Sequence, residues 1–218
     1  MRSRSLAAAT VAAALLLAAA LVCVAVAPLR TKLLQAVGHA LVVDSRATPS
    51  DVIVVAVAGG SAVALEVADL VHDGIARRVA VVGDPPDPIA VEFARRGVPY
   101  DVTSDAMVKG LRALGVQVPI ERIDTPVAGT EDFGAVLPRW CAGRDIRSAL
   151  VVTTRDHSRR TTRVLRRASR DGTTRFVVVG ARYSTFDPRT WWHSRTGLRT
   201  AVIEGQKLLL DIARHPLS

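Results

Sequence analysis

One stretch of the chain is dense in groups that could move protons or hold an anion: Thr153-Thr154-Arg155-Asp156-His157-Ser158-Arg159-Arg160. Imidazole is the side chain whose ordinary titration falls nearest neutral pH, so His157 is the candidate acid/base, with Thr154 and Arg160 as ligand contacts beside it. On a helical wheel at about 100° per residue, Arg159, Arg163, Arg166 and Arg170 share one face. Thr161, Val164, Leu165 and Ala168 share the opposite one, and His157 projects with them. The arginine face reads as solvated, with docking on anionic lipid or polymer as its rival. A structural helix cap is the alternative for His157.

A second loop, Gly129-Thr130-Glu131-Asp132, sets a hydroxyl and two carboxylates at a helix start. Asp132 or Glu131 is the candidate partner of His157 and Thr130 a ligand contact, although N-capping accounts for at least one of these residues. Gly59-Gly60-Ser61 separates an apolar run from a helix, where free backbone N–H groups favour an anion. It matches neither the dinucleotide nor the phosphate-loop glycine pattern. Asp84, in Gly83-Asp84-Pro85-Pro86-Asp87-Pro88, is a further candidate, and its prolines also suit a rigid turn. No paired C-x-x-C, H-E-x-x-H or G-x-S-x-G occurs, so no metal site is indicated, and the cofactor stays unknown.

These loops need elements to position them. Residues 51–58, 78–83 and 148–153 are apolar, β-branched runs that read as buried parallel strands, and 175–180 is a fourth. Weaker extended segments fall at 99–103 and 120–123. Helical periodicity links them over 61–73, 89–96, 104–114, 130–141, where Pro138 is expected to kink or end the helix, and 156–170. A last helix spans 197–213. Alternation at this spacing implies an α/β fold, a parallel sheet with helices on both faces and 51–58 and 148–153 at its centre. Ligands then bind beyond the carboxyl ends of the strands, where the candidate loops lie.

The 218 residues are 49% hydrophobic and carry 29 Lys+Arg against 20 Asp+Glu, which excludes a disordered chain. The net charge of +9 raises nucleic-acid binding. All of the 29 basic residues except Lys32, Lys109 and Lys207 are arginine, and with 4% aromatics there is little to stack on bases, which argues against it. Residues 1–5 are a basic N-terminus. Residues 6–27 form 22 positions without a charge, long enough to cross ~30 Å of hydrocarbon. A retained single-pass anchor is the expectation, because Pro28 follows the small-residue site and the run exceeds a signal-peptide core. The soluble part is then expected outside the cytoplasm, with 28–50 as a linker and 51–213 as the domain. Cys23 and Cys141 cannot form a disulfide framework.

In this order the features resemble the YdcF-like family, domain of unknown function 218, which includes SanA- and ElyC-type envelope proteins. The resemblance rests on the strand ending at Gly59-Gly60, Asp73-Gly74 before the second strand and Gly129-Thr130-Glu131-Asp132. Val151-Val152-Thr153-Thr154 before His157 and Arg160, and Trp191-Trp192 ahead of Glu204, complete it. It implies a Rossmann-like domain with a polar cleft, Glu204 among its ligand-binding residues, and a link to surface-polymer metabolism. The chain departs from the family at the first helix, which has no arginine among residues 63–69, and at Phe133, where the family often has asparagine. Two functions therefore stay open: a cleft for a small anionic or nucleotide-sugar-like ligand, hydrolytic or not, and a non-enzymatic interaction protein with a degenerate site.

Overall fold

The computed structural model describes residues 26–56, 60–85, 87–169, 172 and 174–216. Five strands, β1 (Val52–Val55), β2 (Val79–Val82), β3 (Ile120–Ile123), β4 (Ser148–Thr153) and β5 (Arg175–Gly180), form one all-parallel sheet in the order β3-β2-β1-β4-β5. The helices are α1 (Ala27–Leu41), α2 (Gly60–His72), α3 (Pro88–Arg95), α4 (Thr103–Ala113), α5 (Thr130–Ala142), α6 (Arg155–Ala168) and α7 (Arg195–Arg214). This is the Rossmann-like arrangement, with β1 at the centre and β4 beside it as their composition implies.

Alternate residues of each strand serve opposite faces, so continuous apolar runs are required at the centre. Ile53, Val55, Val79, Val81, Leu150 and Val152 pack on α2 and α4 through Val63, Val67, Met107 and Leu111. Val52, Val54, Ala80, Ala149 and Val151 face α5 and α6 through Phe133, Leu137, Cys141 and Leu165. Burial pushes the Cys141 thiol up to about 12, which rules it out as a nucleophile at neutral pH.

Several expectations are corrected. Residues 99–103 are not a strand: β3 already occupies that edge of the sheet, and Val102 begins the turn into α4. Pro138 does not end α5, which continues to Ala142. The 28–50 stretch is not simply a linker, because 27–41 is helical. Leu41 and Val42 are buried with Phe186, Trp191, Ala201 and Leu208, and Trp191 Nε1 donates to Leu34 O at 2.8 Å. A Cβ on Gly38 would lie 2.3 Å from Pro188 O, so glycine is what lets α1 seat against this segment. Residues 6–25 of the apolar run lie outside the described residues, and no helix among those described is long and apolar enough to cross a membrane.

The arginine face of α6 is only partly solvated. Arg159 donates to Ala40 O at 3.1 Å and Val42 O at 2.9 Å, capping the end of α1. Arg163 is ion-paired to buried Asp211 of α7, while Arg167 joins Asp211 to Glu131. Arg159 and Arg166 remain exposed, and Arg170 lies outside the described residues. Thr161, Val164 and Leu165 are buried as the wheel implies, whereas Ala168 is exposed; α1 and α7, distant in sequence, engage part of the arginine face.

Candidate functional site

The order of strands reverses between β1 and β4, and there the carboxyl ends of neighbouring parallel strands part to leave a crevice. A cleft of about 330 Å³ opens at this point. Ala56, just beyond β1, and Thr153, the last residue of β4, form its floor, and 128–130 leads along one wall into α5. His157 and Arg160 project from the first turns of α6, and Lys207 reaches in from α7. Close approach of α5 and α6 makes this possible. A Cβ on Gly134 would lie 2.3 Å from Val164 Cγ1, and without one the two helices bring the Thr130 hydroxyl against the Arg160 guanidinium, which donates to it.

Behind the cleft wall sits Glu204, 3% exposed. His157 Nδ1 lies 2.8 Å from its Oε2, Arg160 donates to the same oxygen from Nε at 3.1 Å and Nη2 at 2.9 Å, and Lys207 Nζ donates to Oε1 at 2.8 Å. A carboxylate accepts only, so the proton in the His157 contact belongs to Nδ1. The 3.2 Å approach of Arg160 Nη2 to that nitrogen is then a contact between donors rather than a hydrogen bond. With Nδ1 committed to Glu204, proton exchange with a ligand falls to Nε2, which lies 3.5 Å from Asp156 Oδ2.

Burial alone would push the Glu204 carboxyl up. Hydrogen bonds from His157 and Lys207, with the charges of His157 and Arg160, outweigh it and hold the group at about 2 against an ordinary 4.5. A carboxyl depressed on folding stabilises the native state fully above its unfolded value, and that stability disappears as pH falls through the folded one. The window is therefore about pH 5 to 2, and the shift corresponds to on the order of 3 kcal/mol. Denaturant melts of wild type and Glu204→Gln should differ most above pH 5 and converge towards pH 2. A pH-independent gap would show that the carboxylate charge is not what the native state exploits.

Among the described residues the lining contains three basic groups, His157, Arg160 and Lys207, and no carboxylate. Two helices start at its edge, α5 after Gly129 with no side-chain cap, and α6 after Thr154, whose own hydroxyl is buried and unpartnered while Ser184 Oγ accepts from Arg155 N at 3.0 Å. Uncapped first turns present backbone N–H groups and the positive end of the helix dipole. The electrostatics suit an anion.

The structure brings together His157, Arg160, Thr130 and Glu204, with Thr154 at the edge. It does not bring Glu131 or Asp132 to the imidazole: Glu131 is exposed and paired with Arg167, and Asp132 accepts from Ala128 N at 3.2 Å. Asp84 accepts from Ser104 N at 2.8 Å, fixing the start of α4. Gly60 adopts φ +53° as α2 begins and Ser61 is exposed, neither of them on the lining; Gly59 lies outside the described residues. Lys207, Thr153 and Thr161 line the cleft without having been singled out. Lys207 had a signal in its i,i+3 spacing from Glu204 on a helix.

Among the described residues, Glu131, Asp211 and His215 offer ligand-type atoms within 4.8 Å of one another. Arg163 and Arg167 already hold the carboxylates, and two guanidinium charges there oppose a cation. Comparison of the chain with protein-family models, curated proteins and solved structures finds no match in any of the three.

Proposed function

We propose that this is a membrane-anchored envelope protein whose α/β domain binds a small phosphate-bearing ligand, of the size of a sugar phosphate or nucleotide sugar, in the β1/β4 cleft. The observation that carries the reading is the lining itself: imidazole, guanidinium and ammonium groups, no carboxylate among the described residues, and the uncapped start of α5 at its edge. The anchor is supported by the uncharged run over residues 6–27. The YdcF-like resemblance agrees in its site residues and in an extracytoplasmic domain.

The Glu204–His157 pair suits hydrolysis of that ligand. Water adds to the electrophilic centre as Nε2 takes its proton, Glu204 stabilises the imidazolium through Nδ1–H, and Nε2 returns the proton to the departing oxygen. Arg160 is held by Glu204 and Thr130 to meet the phosphate, and Lys207 supplies a second, more mobile charge.

The test is ligand binding and turnover by the full chain in detergent, with inorganic phosphate, a sugar phosphate and a nucleotide diphosphate sugar as probes. Lys207→Ala should weaken binding about tenfold, as expected for loss of a charge-assisted contact worth ~1.4 kcal/mol. His157→Ala should bind comparably but lose about 10²–10⁴ in turnover. Binding to wild type with no turnover leaves a binding protein. No binding of any probe refutes the anion cleft and favours an interaction protein with a degenerate site.

A further inference from the structure

Two neighbouring helices leave apolar side chains in water. On α1, positions 26–33 are exposed all the way round, and Val26, Leu29, Leu33 and Val37 recur at helical spacing. On α7, Leu198, Val202, Ile203, Leu209, Leu210 and Ile212 are exposed, Leu209 to 68%. Between them these helices expose no carboxylate. α1 has no acidic residue in its sequence, and the two acids of α7, Glu204 and Asp211, are buried against α6. The exposed charges are basic, Arg30 and Lys32 on α1 and Arg195, Arg199, Lys207 and Arg214 on α7. Apolar residues interspersed with cations and free of anions are what an interfacial helix presents to anionic headgroups.

We propose that the α1–α7 side of the domain rests on an anionic lipid bilayer. The uncharged segment 6–25 leads directly into the exposed start of α1, so wherever that segment enters a membrane, this side of the domain lies next to it. The inference thus builds on the anchor reading and adds the orientation of the domain. A second copy of the chain suits the surface less well, because a two-fold interface would set cations against cations. Another exposed apolar element, α3, makes a contrast: Ile89 and Val91 lie beside Asp87 and Glu92, and with Glu92 paired to Arg95 and Arg96 the acids balance the arginines, leaving no cationic excess for anionic headgroups.

The experiment uses the full chain with Cys23→Ser, in vesicles of phosphatidylglycerol and phosphatidylcholine, with a nitroxide attached in turn at Leu33→Cys, Leu209→Cys and, as control, Val91→Cys. Buried Cys141 is shielded from the reagent. Labels at 33 and 209 should gain collisions with oxygen and lose them with a water-soluble nickel complex, relative to 91. Label 209 colliding with nickel as freely as 91 overturns the proposal. So does spin–spin broadening at 209 that disappears on dilution with unlabelled chain, which would mean that a second copy covers the face. Flotation of the same samples after alkaline carbonate tests the anchor separately. Carbonate-resistant flotation with an aqueous label 209 refutes the resting face but keeps the anchor. Carbonate-labile binding with a lipid-immersed label keeps the face and refutes the anchor.

Discussion

Replacing Val54 by Asp is expected to leave no folded protein. Val54 is fully buried in the central strand, hydrogen-bonded between β2 and β4, and its side chain lies among Ala80, Val151 and the α5–α6 layer. No basic group belongs to that cluster, so the carboxylate would be desolvated and unpaired. The cost of several kcal/mol is comparable to a whole domain's stability of ~5–15 kcal/mol. Val54→Ala, which only removes methyl groups, should remain folded with a lower melting temperature. Circular dichroism of the two variants checks this. A cooperative melt for Val54→Asp at the wild-type temperature would remove β1 from the centre of the sheet.

The second large effect is expected from Glu204→Ala. The variant loses the one oxygen that His157 and Arg160 share and the acceptor of Lys207. Removing one partner of a buried ion pair costs roughly 3–5 kcal/mol, because the other charge stays desolvated. Lys207 can turn to solvent, so the lower end applies. Glu204→Gln keeps the volume and one acceptor and should recover part of the stability. Turnover should not recover, since a neutral amide stabilises an imidazolium poorly. Parallel measurements of melting temperature and turnover on both variants test this; stability unchanged in Glu204→Ala would mean that Arg160 and His157 find other partners.

The strands were legible because a sheet covered on both faces demands uninterrupted apolar runs, and β1, β4 and β5 have them. Residues 99–103 misled because alternation of Val98, Tyr100 and Val102 resembles a half-buried strand, although Tyr100 is exposed and stacks on Phe93 of α3. Sequence periodicity cannot say whether a sheet edge is vacant. The first helix escaped notice because its packed positions, Leu34, Gly38 and Leu41, form a sparse stripe with a glycine at its centre. At the site, His157 and Arg160 were visible as a local i,i+3 pair. Their carboxylate partner was assigned to the nearest acidic loop, whereas Glu204 lies 44 residues beyond Arg160, a separation no local rule reaches. Glu204 itself entered only through the family resemblance.

One consequence of the last helix concerns synthesis. The cations of α6 are written into the chain well before the acids that neutralise them, since Arg160 waits for Glu204 and Arg163 for Asp211. While a ribosome has delivered α6 but not α7, Arg159 and Arg167 already have their partners at the end of α1 and at Glu131, whereas Arg160 and Arg163 crowd neighbouring turns without theirs. The nascent domain should therefore stay locally open at the cleft until α7 has been made and docks.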